Sequence, residues 1–150
     1  MPTPLPIVDR PVRLAVIGLG QIAELVLPTY IGRDDVVIVG ICDRDQAQLD
    51  HWRAQCPDAR ATTSLEELLT VDADVVDVLV PTPAHADVVE QVFRAGYHVQ
   101  VQKPLARDVQ GAERMLAASE AAGATLRVRN NQTMPRRVGG WRSLSAPGYR

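Results

Sequence analysis

The sequence predicts an α/β fold, a doubly wound parallel sheet of six strands in the order 3-2-1-4-5-6 with helices on both faces. Short apolar runs rich in β-branched residues alternate along the chain with segments of helical periodicity. The first of these runs ends in a glycine-containing turn that opens a helix. Parallel strands need crossover connections, and these are right-handed, so the alternation favours the doubly wound arrangement.

The first helix is predicted to lie between two strands of this sheet. Residues 12–17 form the strand before it, and the helix carries Ile22, Leu25 and Val26 on its inward face. Pro28 removes a backbone donor, so it bends or ends this helix. The elements that follow are predicted as strand 36–42, helix 46–55 and strand 60–63.

Two polar features mark the middle of the chain. Ser64 and Glu67 have the spacing of a capping box, in which each side chain bonds the other's backbone N–H at the start of a short helix. Asp77 is the one charge in the apolar strand 75–80, so we expect it at a sheet edge or beside a partner, because burial of a lone carboxylate is costly. The remaining predicted elements are a helix with Val88, Val89, Val92 and Phe93 inward, strand 97–101, helix 108–122 with Ala112, Met115 and Leu116 inward, and strand 125–128.

Composition is that of one ordinary globular domain, since 46% of the 150 residues are hydrophobic and 23% are charged. The chain contains no apolar run of the ~18 residues that a membrane-spanning helix needs. Residues 1–10 carry prolines and an aspartate where a signal peptide needs an apolar core, so we expect a cytoplasmic protein without a membrane partner. Cys42 and Cys56 give neither a disulfide framework nor the spacing of a metal site.

Charge is distributed unevenly along the chain. Six arginines lie from residue 127 onward, whereas all 18 acidic residues precede them. A basic tail on an acidic body is one signature of nucleic-acid binding, but this tail lacks aromatic interleaving and any recognisable nucleic-acid motif. We favour the other interpretation, a segment that lacks its partner structure.

The turn after the first strand reads Gly18-Leu19-Gly20-Gln21-Ile22-Ala23, and Asp43 closes the second strand about 20 residues later, which is the dinucleotide-binding fingerprint. Gly18 makes the tight turn, and Gly20 lets a pyrophosphate approach the backbone. Ala23 lets the helix pack closely against the strand. The helix N-terminus then presents N–H groups and a positive partial charge to the phosphates.

This motif sets the domain boundaries and one half of the cofactor site. Residues 12–132 are predicted to form a Rossmann dinucleotide-binding domain, between an N-terminal extension (1–11) and an arginine-rich loop or disordered tail (133–150). Asp43 can accept both ribose hydroxyls and repel a 2′-phosphate, which favours NAD, whereas Arg44 could hold that phosphate and admit NADP. The predicted cofactor contacts here are Gly18, Gly20, Gln21, Ile22, Asp43 and Arg44.

The chain contains one lysine, Lys103, against fifteen arginines. Lys103 directly follows the fifth predicted strand, and open α/β sheets bind their ligands beyond the carboxyl ends of the strands. A compact ammonium group can serve as a proton donor or oxygen binder in ways that a guanidinium cannot, so Lys103 is the candidate catalytic residue. The alternative is a stray lysine in a solvated loop of an arginine-biased chain.

A second turn, Pro81-Thr82-Pro83-Ala84-His85, follows the fourth strand beside the predicted cofactor crevice. A turn fixed by prolines suits the nicotinamide end of a dinucleotide. His85 has two interpretations that the sequence leaves open, a ligand contact or a cap for the helix that follows.

Taken together, these motifs resemble the N-terminal domain of the Gfo/Idh/MocA oxidoreductases, a family that includes glucose–fructose oxidoreductase and inositol dehydrogenase. The resemblance covers residues 12–132 and rests on the glycine turn with Asp43, on Thr82-Pro83-x-His85, and on Gly96-x-His98-Val99 leading into Lys103-Pro104. It implies binding of NAD or NADP and hydride transfer at a sugar-like or cyclitol hydroxyl. It places Thr82, Pro83 and His85 near the nicotinamide ribose, and Lys103 near the nicotinamide and the reacting hydroxyl.

Two departures from the family pattern bear on activity. Gln102, a further predicted cofactor contact, stands where the family usually has glutamate, which removes a charge that would favour protonated Lys103. The family's second domain, which supplies most of the substrate pocket and an Asp or His for proton transfer, has no counterpart in this sequence. We therefore expect a domain that is catalytically incomplete alone, either a truncated or frame-shifted copy or one half of a split protein whose substrate domain is a separate chain. A homo-oligomer and a non-catalytic nucleotide-binding module are the remaining alternatives.

Overall fold

The computed structural model describes residues 9–129, and within them six strands alternate with helices. The strands are β1 (Val12–Ile17), β2 (Val36–Cys42), β3 (Arg60–Thr62), β4 (Val75–Val78), β5 (His98–Val101) and β6 (Leu126–Val128). The α-helices are α1 (Gln21–Val26), α2 (Gln46–Arg53), α3 (Leu65–Leu68), α4 (His85–Arg94) and α5 (Val109–Ala122). Most of the predicted extension 1–11 and all of the predicted tail 133–150 lie outside the described residues.

The sheet has the predicted order, β3-β2-β1-β4-β5-β6, and every pair of neighbouring strands is parallel. Its two faces carry separate apolar cores, one built around Trp52 of α2 and the other around Phe93 of α4 and Met115 of α5. The doubly wound fold is therefore confirmed. The strand order reverses between β1 and β4, which opens a crevice at the carboxyl ends of these two strands.

The inward face of α1 differs from the prediction. Ala23 and Val26 are buried, whereas Ile22 is 41% exposed and Leu25 is 71% exposed. The helix is only six residues long, so its apolar spacing fits more than one face, and Ala23 and Val26 are the side chains that pack into the core. Pro28 ends it as predicted, because the chain continues as a one-turn 3₁₀ helix at Leu27–Thr29.

The long helix α5 shows a smaller error of the same kind. Met115 is buried as predicted, but Leu116 is 51% exposed and points away from the core. The ends of α5 follow the sequence closely, since the Asp108 side chain accepts the Gly111 N–H at the N-cap and Gly123 adopts a left-handed conformation at the C-cap. Among the described residues, no helix has the length and apolar character that crossing a membrane would require.

Asp77 is fully buried in the central strand β4, so the edge position is excluded and the partner alternative is correct. Its carboxylate accepts hydrogen bonds from the Tyr30 hydroxyl (2.8 Å), the Gln100 amide (3.1 Å) and the Arg129 guanidinium. Burial and the Asp77 charge raise the pKa of Tyr30, so its phenol stays protonated and donates. Arg129 is one of the six arginines of the basic segment. It is buried and neutralises the Asp77 carboxylate, so this arginine does not face solvent.

The predicted capping box is only half formed. The Ser64 hydroxyl accepts the Glu67 N–H at 3.3 Å, as predicted. The Glu67 carboxylate, however, accepts the Thr62 hydroxyl at 2.8 Å, and Thr62 accepts the Ser64 N–H at 3.0 Å. Thr62 lies closer to Ser64 along the chain, so it takes the bond that the glutamate was expected to make.

Candidate functional site

A cleft of ≈ 980 Å³ opens at the carboxyl ends of the central strands, at the upper end of the roughly 300–1,000 Å³ typical of ligand pockets. Most of the residues that the sequence singled out line this cleft together, although they come from four separate strand-to-helix connections. They are Gly18, Gly20, Gln21, Ile22, Asp43, Arg44, Thr82, His85, Gln102 and Lys103. Pro83 is exposed and is not among the lining residues, whereas Pro81 is.

The two glycines of the first turn meet different surroundings. Gly18 has a positive φ of 90°, and a Cβ added there would stand 2.8 Å from the Val80 backbone nitrogen, so the turn admits no side chain. A Cβ on Gly20 would meet no atom within 4 Å, so open space lies above this residue. That space, at the start of α1, fits a group that approaches the backbone closely, as a pyrophosphate does.

Asp43 ties the glycine turn to the end of β2. One carboxylate oxygen accepts the Leu19 N–H at 2.6 Å, and the other accepts the Asp45 N–H at 2.8 Å. A carboxylate oxygen has two lone pairs, so both oxygens keep acceptor capacity toward the cleft. Sequence analysis gave Asp43 a ligand role only, and it missed this second role in shaping the turn.

Trp52 is a further part of the site that the sequence analysis did not identify. Its indole N–H donates to the Leu19 carbonyl at 3.2 Å, while its ring is 1% exposed within the core. Leu19 is therefore held on both sides, through its N–H by Asp43 and through its carbonyl by Trp52. A buried tryptophan needs a partner for its N–H, which is the one signal in the sequence that pointed to such a bond.

His85 lines the other half of the cleft but does not cap α4. Its ring is 1% exposed, with Nε2 2.9 Å from the Val80 carbonyl and Nδ1 3.0 Å from the Leu105 carbonyl. The N-cap of α4 is Ala84, which makes no side-chain bond, because a 3₁₀ turn at Thr82–Ala84 leads into the helix. The capping interpretation of His85 is therefore wrong.

Gln102 and Lys103 follow β5 and differ in exposure. Gln102 is 7% exposed and its N–H donates to the Val78 carbonyl at 3.3 Å, which extends the sheet pairing by one residue. Lys103 is exposed at the rim of the cleft. At this end of the cleft, the Lys103 ammonium on its flexible side chain therefore follows the neutral Gln102 amide.

Cys42 also lines the cleft, at the end of β2. Burial and the neighbouring Asp43 charge raise the pKa of its thiol to about 11. The thiol is therefore protonated at neutral pH and does not supply a thiolate nucleophile. Within residues 9–129, no three His, Cys, Asp or Glu side chains converge to hold a metal ion.

Comparison with known proteins matches this chain to one family. The model of the Gfo/Idh/MocA "Oxidoreductase family, NAD-binding Rossmann fold" matches residues 12–130. The chain is 35% identical over 115 residues to a 1-carboxy-3-chloro-3,4-dihydroxycyclohexa-1,5-diene dehydrogenase of Comamonas testosteroni, covering 76% of this chain and 29% of the relative.

Solved structures agree with the sequence matches. The WlbA dehydrogenase of Bordetella pertussis, in complex with NADH and UDP-GlcNAcA, has a TM-score of 0.78 and 31% identity over 83% of this chain and 36% of its own. KijD10, a 3-ketoreductase of Actinomadura kijaniata in complex with NADP and TDP-benzene, has a TM-score of 0.73 and 29% identity over 80% of this chain and 37% of its own. The chain therefore spans about a third of the length of the proteins it matches.

Proposed function

Because the chain belongs to the Gfo/Idh/MocA oxidoreductase family, we propose that residues 12–132 hold a nicotinamide dinucleotide in this cleft for hydride transfer at a sugar-like or cyclitol hydroxyl. The observation that carries the proposal is the glycine turn itself. Gly18 is fixed by its left-handed backbone, Gly20 leaves open space, and Asp43 holds the turn between them. When bound, the cofactor supplies the nicotinamide ring that accepts the hydride.

The pyrophosphate half of the proposed site is formed by backbone groups. Gly20, Gln21 and Ile22 present their N–H groups where α1 begins, and the exposed Ile22 side chain lines the cleft beside them. The open space above Gly20 supports this assignment, because any larger residue would fill it.

The ribose end selects NAD in this proposal. Asp43 keeps acceptor capacity for the ribose hydroxyls after bonding two backbone N–H groups, and its charge repels a 2′-phosphate. Arg44 is exposed beside it and lessens that repulsion, so NADP is bound more weakly rather than excluded. Among the solved relatives, WlbA is in complex with NADH and KijD10 with NADP.

The nicotinamide half carries the chemical role. Thr82 and Gln102 line the cleft next to the nicotinamide ribose, and Pro83 fixes the turn that presents Thr82. The Lys103 ammonium donates a hydrogen bond to the substrate oxygen and orients the hydroxyl for transfer. Gln102 places no carboxylate beside Lys103 at this position, and an ammonium cannot itself take up the hydroxyl proton, so a base from outside these residues accepts it.

Turnover by the whole protein is a separate part of the proposal. The chain spans about a third of its relatives' length, and Lys103 is exposed, so the substrate pocket is completed by protein from beyond this domain. A separate substrate-domain chain and a second copy are two sources that would supply it. A non-catalytic nucleotide-binding module is the second candidate, favoured by the neutral Gln102 beside the exposed Lys103.

Calorimetric titration of the 150-residue chain with NADH and then NADPH tests cofactor binding. We expect saturable binding of both, tighter for NADH, and a loss of about tenfold or more in NADH affinity for Asp43→Ala, which removes a charge-assisted acceptor. Asp58→Ala, an exposed carboxylate beyond α2, is the matched control and should bind as wild type does. No heat of binding with millimolar NADH and folded protein would contradict the proposal.

A further inference from the structure

His85 occupies an unusual position for a residue that lines a ligand cleft. Its imidazole is 1% exposed, and both ring nitrogens face backbone carbonyls from two different loops. Val80 lies in the loop after β4, two residues before Thr82. Leu105 lies in the loop after β5, two residues beyond Lys103. One side chain therefore joins the two loops that form the nicotinamide half of the cleft.

The chemistry of these contacts leaves the ring little capacity for a ligand. A carbonyl oxygen only accepts hydrogen bonds, so the imidazole donates an N–H wherever such a bond is made. The two ring nitrogens lie 2.9 and 3.0 Å from the two carbonyls. A neutral ring has one N–H and donates to one carbonyl at a time, whereas a protonated ring donates to both. A cofactor atom would have to displace one loop to reach either nitrogen.

The base of the side chain is equally fixed. His85 is the first residue of α4, and this helix is anchored in the core by Val89, Val92 and Phe93, all at most 2% exposed. The two loops are only partly packed, since Val80 and Leu105 lie against the core whereas Lys103 and Pro104 are exposed. The imidazole thus connects a rigid helix to the packed end of each loop.

We propose that His85 is a positioning residue that sets the spacing between the Thr82 turn and the Lys103 loop without contacting the cofactor. This inference rests on the proposed function for the identity of the ligand. It assigns His85 to the alignment of the nicotinamide half alone, because neither carbonyl belongs to the glycine turn or to the Asp43 loop. Loss of the imidazole should therefore weaken binding of the nicotinamide half of the cofactor and leave binding of the adenosine half unchanged.

Paired titrations with NADH and ADP separate the two halves of the cleft. ADP contains the adenosine and both phosphates but no nicotinamide ribose, so it probes only the glycine turn and Asp43. For His85→Ala we expect NADH affinity to fall about tenfold, the cost of losing a buried hydrogen bond or two, with ADP affinity within about twofold of wild type. Equal losses for both ligands, or an unchanged NADH affinity in folded protein, would overturn the proposal.

His98 provides a matched control for the loss of a partly buried histidine. Its Nδ1 accepts the Thr125 N–H at 3.0 Å, at the start of β5 and far along the strand from the cleft. His98→Ala should lower the melting temperature but leave the ratio of NADH to ADP affinity unchanged. His85→Gln, which keeps one amide donor, should restore part of the NADH affinity, and it serves as the second variant if His85→Ala does not fold.

An NMR measurement tests, without any cofactor, whether His85 bridges the Val80 and Leu105 loops. Backbone amide shifts should move in both loops, around Leu79–Thr82 and around Gln102–Ala106, when His85→Ala or His85→Gln is compared with wild type. Changes confined to α4 would overturn the bridge. If wild type binds neither NADH nor ADP, the proposed function fails, and these shifts still decide the role of His85.

Discussion

The two halves of the cleft are held in place by different means. The glycine-turn half is fixed by hydrogen bonds among three neighbouring segments, since Asp43 and Trp52 hold the two sides of Leu19. The nicotinamide half has exposed loop residues at Lys103 and Pro104 and is connected through His85. We infer from this difference that the adenosine end is preformed by the sheet and its crossovers, and we propose that the reacting end depends on the His85 contacts and on protein from outside the domain.

Substitution of Gly18 and Gly20 should have the largest effects on stability and affinity. If both variants behaved alike, the two glycines would not have the different roles described here. Gly18→Ala places a side chain at φ 90° and 2.8 Å from a backbone nitrogen, so we expect a loss of about 2–4 kcal/mol in the free energy of unfolding. Gly20→Ala meets no atom within 4 Å, so its melting temperature should equal that of wild type while NADH and ADP affinity both fall. Thermal unfolding and calorimetry on both variants test this prediction. A lower melting temperature for Gly20→Ala would contradict the open space above this residue.

Trp52→Phe sharpens the comparison on the adenosine side. The aromatic bulk in the core is largely kept, but the N–H that donates to the Leu19 carbonyl is lost. We expect ADP and NADH affinity to fall in parallel by about fivefold, as for one neutral hydrogen bond. Trp52→Leu, which loses the aromatic ring as well, is the comparison for general core damage. If only NADH affinity fell, Trp52 would act on the nicotinamide half of the cleft and not on the adenosine half, which would contradict the prediction.

Lys103→Met gives the smallest expected effect on binding. The substitution keeps an unbranched side chain of similar length and removes the charge at the exposed rim of the cleft. ADP affinity should stay within about twofold of wild type, because a solvent-exposed charge contributes little there. Lys103→Arg, which retains the charge, is the control. A large loss of ADP affinity in Lys103→Met alone would show that this lysine belongs to the phosphate site.

The parts of the fold that sequence reasoning recovered depend on residues close together in the chain. The alternation of strands and helices gave the sheet order, and the glycine turn with Asp43 is a local pattern whose backbone geometry follows from residue type. The position of Pro28 likewise ended α1 where a missing N–H requires it.

What the sequence did not reveal depends on contacts between distant residues. The Tyr30 and Arg129 partners of Asp77 lie 47 and 52 residues away, and the Leu105 partner of His85 lies 20 residues away. No local period encodes such pairs. The prediction of the inward face of α1 was wrong for another reason, because six residues are too few to define an apolar stripe on a helix.

The cluster around Asp77 has a consequence for the order in which the chain can acquire its structure. Tyr30 and Arg129, which bond each other as well as Asp77, are separated by 99 residues. A carboxylate buried without its cation costs about 3–5 kcal/mol. During synthesis, β4 therefore gains this counter-charge only after residue 129 has left the ribosome, so the residue that follows β6 supplies the charge that balances the central strand.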